Sequence, residues 1–367
     1  MTERYIGLMS GTSLDGVDAV LVEFDAAGTP RATADFFVAY PQAIRQAVLQ
    51  LQPSGHDELA RSAQLGNELA RLYAEAVHGL LAAQQLSPAA ITAIGCHGQT
   101  VRHAPQHGYT LQIGNLSLLA ELTGIDVVGD FRSRDVAAQG QGAPLVPAFH
   151  QSVFASPTEN RVILNVGGIS NLTRLADAAP VIGFDCGPGN MLMDAWCQQH
   201  LGHAYDRDGQ WAASGQVHAD LLTRCLQEPF FAQQPPKSTG RDLFDLAWLA
   251  QQLAALPGEL APADVQRTLL ELTVTGISTA IRQHCPQTRA VYVCGGGANN
   301  RLLMQRLAEH LPESVITTTA TLGLSVHQVE AAAFGWLAFR FTHRLSANLP
   351  EVTGASGARI LGALYPH

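Results

Sequence analysis

The sequence predicts an α/β protein built of two similar halves. Three observations carry this reading. A pair of short apolar strands around a glycine-bearing turn opens the chain at Tyr5, and the same order starts again at Arg161. Each hairpin is followed by a third strand, and each third strand by helical patterning. Length agrees: 367 residues exceed the ~250–300 at which a single core stops growing. The expected architecture is two lobes with a central cleft, divided as 1–145 and 146–367, with the last helix able to pack back on the first lobe.

In the first half, Tyr5 to Met9, Val17 to Phe24 and Ala34 to Ala39 read as strands, the last following a turn at Gly28 to Pro30. Helical patterning takes over from Gln42 to Leu51 and from about Asp57 to Leu86. In the longer segment Leu65, Leu69, Leu72, Ala76 and Leu80 recur at steps of three and four and form one apolar stripe. In the second half the strands are Arg161 to Val166, Asn171 to Leu175 and Val181 to Phe184, followed by a helix from Asn190 to His200. A helix from Pro262 to His284, a strand from Ala290 to Val293, and helices from Arg301 to His310 and about Val326 to Arg344 close the chain. Ala137 to Pro147 is the expected crossing segment.

Composition excludes several classes. Hydrophobic residues make up 47% and charged residues 14%, which rules out a disordered chain. A net charge of −9 carries no basic nucleic-acid footprint. No apolar run reaches the ~18–20 residues that span a bilayer, and the first residues lack the apolar stretch of a signal peptide. The six cysteines form no C-x-x-C pair and no zinc-type spacing, so they read as buried, inert thiols of a soluble cytoplasmic protein.

Three glycine turns carry the chemistry. The segment Gly11, Thr12, Ser13, Leu14, Asp15, Gly16, Val17 and Asp18 begins like a P-loop, but Val17 and Asp18 stand where Lys and Ser/Thr belong, and a strand follows instead of a helix. Its glycines and hydroxyls still suit phosphate oxygens, and Asp15 and Asp18 suit a magnesium ion held largely through water. Gly167 and Gly168, with Asn171 beyond them, form a matching turn in the second half. Gly295, Gly296 and Gly297 with Asn299 leave bare backbone on which an adenine ring can lie. Each turn alone also reads as an ordinary tight turn; two facing hairpins together read as a polyphosphate clamp.

Asp185, on a strand before a glycine-proline-glycine turn, suits a general base, or else a carboxylate that satisfies turn donors. With an ordinary pKa it would be ionised at neutral pH. His97 and Gln99 lie in a glycine-flanked turn and suit a sugar or amide, with a core histidine as the competing role. Asp130, Arg132 and Arg134 follow another strand, and an arginine there suits a substrate carboxylate. Glu330 is the acid at the start of an apolar helix, and Lys237 is the only lysine among 22 lysines and arginines.

Taken in order, these motifs resemble the bacterial anhydro-N-acetylmuramic acid kinases. The pieces that carry the resemblance are Gly7 to Asp18, Cys96 to Thr100, Gly129 to Arg132, Gln141 to Leu145, Asn165 to Asn171, Phe184 to Asn190, Lys237 to Arg241, Cys294 to Asn299 and Thr353 to Ala355. The resemblance implies the sugar kinase/actin/heat-shock ATPase superfamily, with two duplicated ribonuclease-H-like lobes. It implies ATP and Mg2+ as cofactors and two phosphate loops at Gly11 to Asp18 and Asn165 to Asn171. It also implies an adenosine segment at Cys294 to Asn299, Asp185 as the catalytic base, and a homodimer. Cys186 stands where the family usually has Thr, and His327 and Gln328 precede Glu330 where Asp-Ala-Met-like residues are frequent.

The implied reaction opens 1,6-anhydro-N-acetylmuramic acid with water and phosphorylates O6, a step of cell-wall recycling. His97, Gln99, Asp130, Arg132 and Glu330 are the implied sugar contacts. Two other functions use the same motifs: a kinase for an ordinary hexosamine hydroxyl, and a non-catalytic sugar or nucleotide sensor. A transcriptional sensor would need a DNA-binding module, and no helix-turn-helix segment is spare.

Overall fold

The computed structural model describes residues 2–11, 14–177, 179–241 and 243–367. The chain forms two compact units, Met1–Val153 with His327–His367, and Phe154–Val326.

The first unit is built on β1 (Glu3–Met9), β2 (Gly16–Phe24), β3 (Pro30–Ala39), β4 (Ala93–Cys96), a separate ribbon of β5 (Gln99–Ala104) and β6 (Tyr109–Ile113), and β7 (Val127–Gly129). β1, β2 and β3 form an antiparallel meander, while β4 runs parallel to β1 and β7 parallel to β4. The sheet order is β3-β2-β1-β4-β7, closed on the β7 side by an antiparallel C-terminal strand, Ala363–Tyr365.

The second unit repeats this plan. β8 (Arg161–Val166), β9 (Ile169–Leu175) and β10 (Ile182–Pro188) form the meander, and β11 (Ala290–Cys294) and β12 (Val315–Thr318) follow in parallel, giving the order β10-β9-β8-β11-β12. The duplicated α/β fold expected from the two hairpins is therefore present as one strand order used twice.

Each sheet packs one face against a long helix of its own unit. In the first unit Ile6, Leu8, Val17 and Ile94 pack with Leu65, Leu69, Tyr73 and Leu80 of the Glu58–Gln84 helix, which realises the apolar stripe. In the second, Leu164, Phe184 and Val293 pack with Leu269, Val274 and Ile277 of the Pro262–His284 helix. All six cysteines are buried, and no disulfide joins them.

The Val329–Thr342 helix belongs to the first unit and lies directly on β1 and β4. Two glycines permit this approach. A Cβ at Gly7 would sit 1.8 Å from the Ala331 carbonyl oxygen, and one at Gly95 would sit 1.9 Å from that of Phe334. Phe339 stacks on Phe24 at 4.1 Å between ring centres, which pins the other end of the helix.

The structure departs from the sequence expectation in several places. The chain does not close on the last long helix, because Pro350–Thr353 and the strand Ala363–Tyr365 follow it. The β5–β6 ribbon was not expected; its strands are short, and Gly98 and Gly108 interrupt any longer pattern. The third strand of the second unit runs on past Phe184 to Pro188 through a bulge between Asp185 and Gly187.

Candidate active site

In the first unit the turn after β1 is tied down from below. Ser10 is buried; its hydroxyl donates to the Gly98 carbonyl at 3.0 Å and lies 3.0 Å from the Tyr73 hydroxyl. Leu14 adopts the left-handed region (φ 61°) and, like Val17, places its side chain in the core. Asp15 is exposed, and its carbonyl accepts the Tyr40 N–H at 2.9 Å. Thr12 and Ser13, expected phosphate donors, lie outside the described residues.

His97 and Gln99 sit directly behind this turn. Arg132 donates to His97 Nε2 from both Nε (3.2 Å) and a terminal nitrogen (3.0 Å), and to the Gly142 carbonyl at 2.8 Å. Because Nε2 accepts, the imidazole proton is on Nδ1, which donates to the Ser10 carbonyl at 3.3 Å. Burial and the Arg132 guanidinium push the His97 pKa down to about 3, so the ring is neutral. Gln99 is fully buried; its Nε2 donates to the Gly11 carbonyl at 3.3 Å, while Oε1 has no partner among the described residues.

Asp130 is exposed at the start of the loop, with φ 53°, and accepts from the Ser133 hydroxyl. Arg132 is half-buried, whereas Arg134 is exposed. Three of the five Arg132 N–H groups are used by His97 and Gly142, which leaves donors for an anion.

Three carboxylates of this unit bear on a fourth, Asp18. The Asp18 carboxyl is pushed up to about 7, first by burial and then by Glu330, Asp35 and Asp15. Glu330 holds its place because its helix is seated on β1. A dipositive ion would relieve this repulsion, and carboxylate oxygens are its natural ligands. Among the described residues no three His, Cys, Asp or Glu side chains close into a direct metal cage.

In the second unit the ladder lines up Cys294, Asn165, Asn171 and Asp185 in one row across four strands. The glycine turn between β8 and β9 is braced by the next one: the Gly168 carbonyl accepts from Gly189 N–H at 2.8 Å, and the Gly167 carbonyl accepts from Asn190 N–H at 2.8 Å. The glycines of the third cluster divide by role. A Cβ at Gly295 or Gly297 would strike Asn165 Oδ1 or Val166 Cγ1 at 2.3 Å, so these two serve close packing. Cβ atoms at Gly167 and Gly296 would meet nothing nearer than 3.6 and 3.7 Å, which leaves their backbone open to a ligand. Asn299 is exposed, and Asn300 caps the next helix by accepting from the Leu303 N–H at 3.1 Å.

Asp185 is half-buried and held at two points. Its N–H donates to the Lys237 carbonyl at 3.1 Å, and Oδ2 accepts the Thr239 N–H at 2.9 Å. Burial raises its pKa to about 7, opposed by the Thr239 hydrogen bond and the Lys237 charge. This corrects the expectation of an ordinary, fully ionised carboxyl: near neutrality the group is poised between its two forms. The clamp at Thr239 was not legible in the sequence, since 54 residues separate the partners.

A duplicated α/β fold with a glycine hairpin in each unit, acids beside one and a poised carboxyl beside the other, has the parts a phosphotransferase needs. Residues 3–367 match the family model described as anhydro-N-acetylmuramic acid kinase. The chain is 61% identical over its whole length to the anhydro-N-acetylmuramic acid kinase of Chromobacterium violaceum, covering 100% of that protein. It is 54% identical to those of Nitrosospira multiformis and Pseudomonas fluorescens, covering 99% of this chain in both cases and 98% and 99% of the relatives. The chain belongs to the anhydro-N-acetylmuramic acid kinase family.

Proposed function

We propose that the chain opens 1,6-anhydro-N-acetylmuramic acid with water and transfers the γ-phosphoryl of ATP to O6, in cell-wall recycling. The observation that carries the residue assignment is Asp185, a carboxyl clamped by Thr239 and poised near neutrality, in one row with Asn171. Asp185 takes a proton from a water as its oxygen bonds to C1. The C1–O6 bond breaks, and O6 accepts the phosphoryl group, so ATP, water and the anhydro sugar give ADP and N-acetylmuramic acid 6-phosphate. Asp185 Oδ2 is engaged by Thr239, which leaves Oδ1 to receive the proton.

The open backbone at Gly167 and Gly296 receives phosphate and adenosine, and Asn171 and Asn299 add polar contacts. The turn from Gly11 to Asp18 supplies the other phosphate contacts. Asp15 and Asp18 would hold magnesium through its waters, and that ion would neutralise phosphate charge. Gln99, Asp130 and Glu330 bind the sugar; His97, expected as a further sugar contact, has both ring nitrogens taken by Ser10 and Arg132 and instead orients Arg132, which meets the lactyl carboxylate with the donors that His97 and Gly142 leave over. The same reading includes a homodimer working in the cytoplasm. Among the described residues no helix is long and apolar enough to cross a membrane.

The test is a product assay by mass spectrometry with ATP, magnesium and the anhydro sugar in ¹⁸O-labelled water. The expected product is heavier by one water and one HPO3, with the label on the anomeric oxygen. An unlabelled product, or phosphorylation of ordinary hexosamines in place of the anhydro sugar, would reject this reading.

A further inference from the structure

The lysine that stands alone in the sequence lies in the strap that clamps Asp185. Its main chain and its side chain do separate jobs. The Lys237 carbonyl accepts the Asp185 N–H at 3.1 Å, and two residues on, the Thr239 N–H reaches Asp185 Oδ2. The ammonium turns the other way and donates to the carbonyls of Phe230 (3.2 Å) and Phe231 (3.4 Å), in the short helix Pro229–Ala232. It also sits over the Phe230 ring, 4.6 Å from its centre, and 6.0 Å from that of Phe184, the residue before Asp185. A cation is what two carbonyls and an aromatic face jointly select. The ammonium therefore anchors the strap at one end while the strap fixes the carboxylate at the other.

We propose that Lys237 is a positioning residue for the reaction, holding the 237–239 strap so that Asp185 presents its free oxygen. This inference rests on Asp185 being the base. The surrounding groups fit the assignment. Cys186 on the same strand and Cys285 after the Pro262–His284 helix are kept neutral by burial, which pushes both thiols up. His284 on that helix is pushed down by burial, Lys237 and Arg174, so it contributes no competing charge near neutrality. The lysine itself is lowered by burial and supported by Asp185.

A hollow of about 300 Å³, lined by Lys237, Cys186, Phe231, Thr275, Thr279 and Gln283, opens beside the ammonium. It offers a small amine a way to the place that truncation would vacate. The experiment compares pH–rate profiles of the wild type, Lys237→Met, and Lys237→Ala with and without n-propylamine, at saturating magnesium and ATP, with Asp185→Asn as control. Lys237→Met should move the acid limb of kcat to higher pH by about one unit, about tenfold in rate below the limb, with KM for ATP unchanged. Propylammonium should restore a large part of the Lys237→Ala activity and return the limb toward its wild-type position.

A limb that stays in place in both variants, with loss that amine does not restore, would overturn the positioning role. Full turnover by Asp185→Asn would instead remove the base assignment on which the role rests. The two failures are read from different variants and cannot be confused.

Discussion

The two units use one strand order for opposite electrostatics. At the turn end of the first meander the ladder runs Met9, Asp18, Phe37, and the carboxylates of Asp15, Asp35 and Glu330 gather about Asp18. At the corresponding place in the second, the row is Asn165, Asn171, Asp185: two amides and one acid. The strand-three position is thus an exposed phenylalanine in one unit and the candidate base in the other. A common backbone fixes where turns and strand ends fall. In the proposed function, the side chains that occupy them suit one unit to hold a cation and the other to move a proton.

The comparison breaks most sharply at Asp18. Asp18→Asn should lower magnesium-dependent turnover by about a hundredfold or more, since charge stabilisation dominates phosphoryl transfer. The same substitution should stabilise the protein. The Asp18 carboxyl is raised from 3.8 to about 7 in the fold, so the native state holds its proton more tightly than the unfolded chain. Stability from this group is fully present below about pH 4 and is lost as pH rises toward 7. The variant should therefore melt roughly 2 °C or more above wild type at pH 8 and level with it in acid. Equal melting at both pH values would show that the four acids do not repel.

Arg132→Met comes next. It removes the donors that hold His97 and those left for an anion, and kcat/KM for the sugar should fall about ten- to a hundredfold, with KM for ATP little changed. A selective rise in KM for ATP would move Arg132 from the sugar to the nucleotide.

The pH profile of the wild type is a further test. At saturating magnesium, kcat should rise through a single acid limb near pH 7, where Asp185 ionises. His97 stays neutral throughout this range and adds no limb. A limb near pH 4 would mean that the base is an ordinary, solvated carboxylate.

The smallest effects separate the two kinds of glycine. Gly297→Ala should cost about 1–3 kcal/mol of stability in a urea melt, because the new methyl meets Val166 at 2.3 Å. Gly296→Ala should leave stability within about 0.5 kcal/mol and raise KM for ATP a fewfold. Reversed outcomes would exchange the packing and ligand faces of the third cluster.

Much of this was legible in the sequence because its signals are local. The hairpins, the apolar stripe from Leu65 to Leu80 and the helices Gln42–Leu51 and Arg301–His310 follow from periodicity and turn residues. The strand Ala363–Tyr365 was not, since three residues carry no period and the strand exists only by pairing with β7. The candidate residues His97, Arg132 and Asp185 were visible by their place after strands. Their couplings were not: Arg132 reaches His97 across 35 residues, and Thr239 reaches Asp185 across 54. The raised Asp185 carboxyl likewise depends on burial, which only packing sets. The lone lysine announced itself by composition, yet its link to Asp185 runs through a backbone carbonyl that no residue type reveals.

In the proposed reaction the second unit supplies the base and the first does not. The most direct measurement is the mass-spectrometric assay in ¹⁸O-labelled water run on Asp185→Asn, with nucleotide binding followed in the same preparation by calorimetry. The expected result is wild-type affinity for magnesium-ATP with a fall in labelled product of about 10²–10⁴. Labelled product at the wild-type rate would contradict it and return the search for the base to the acids around Asp18.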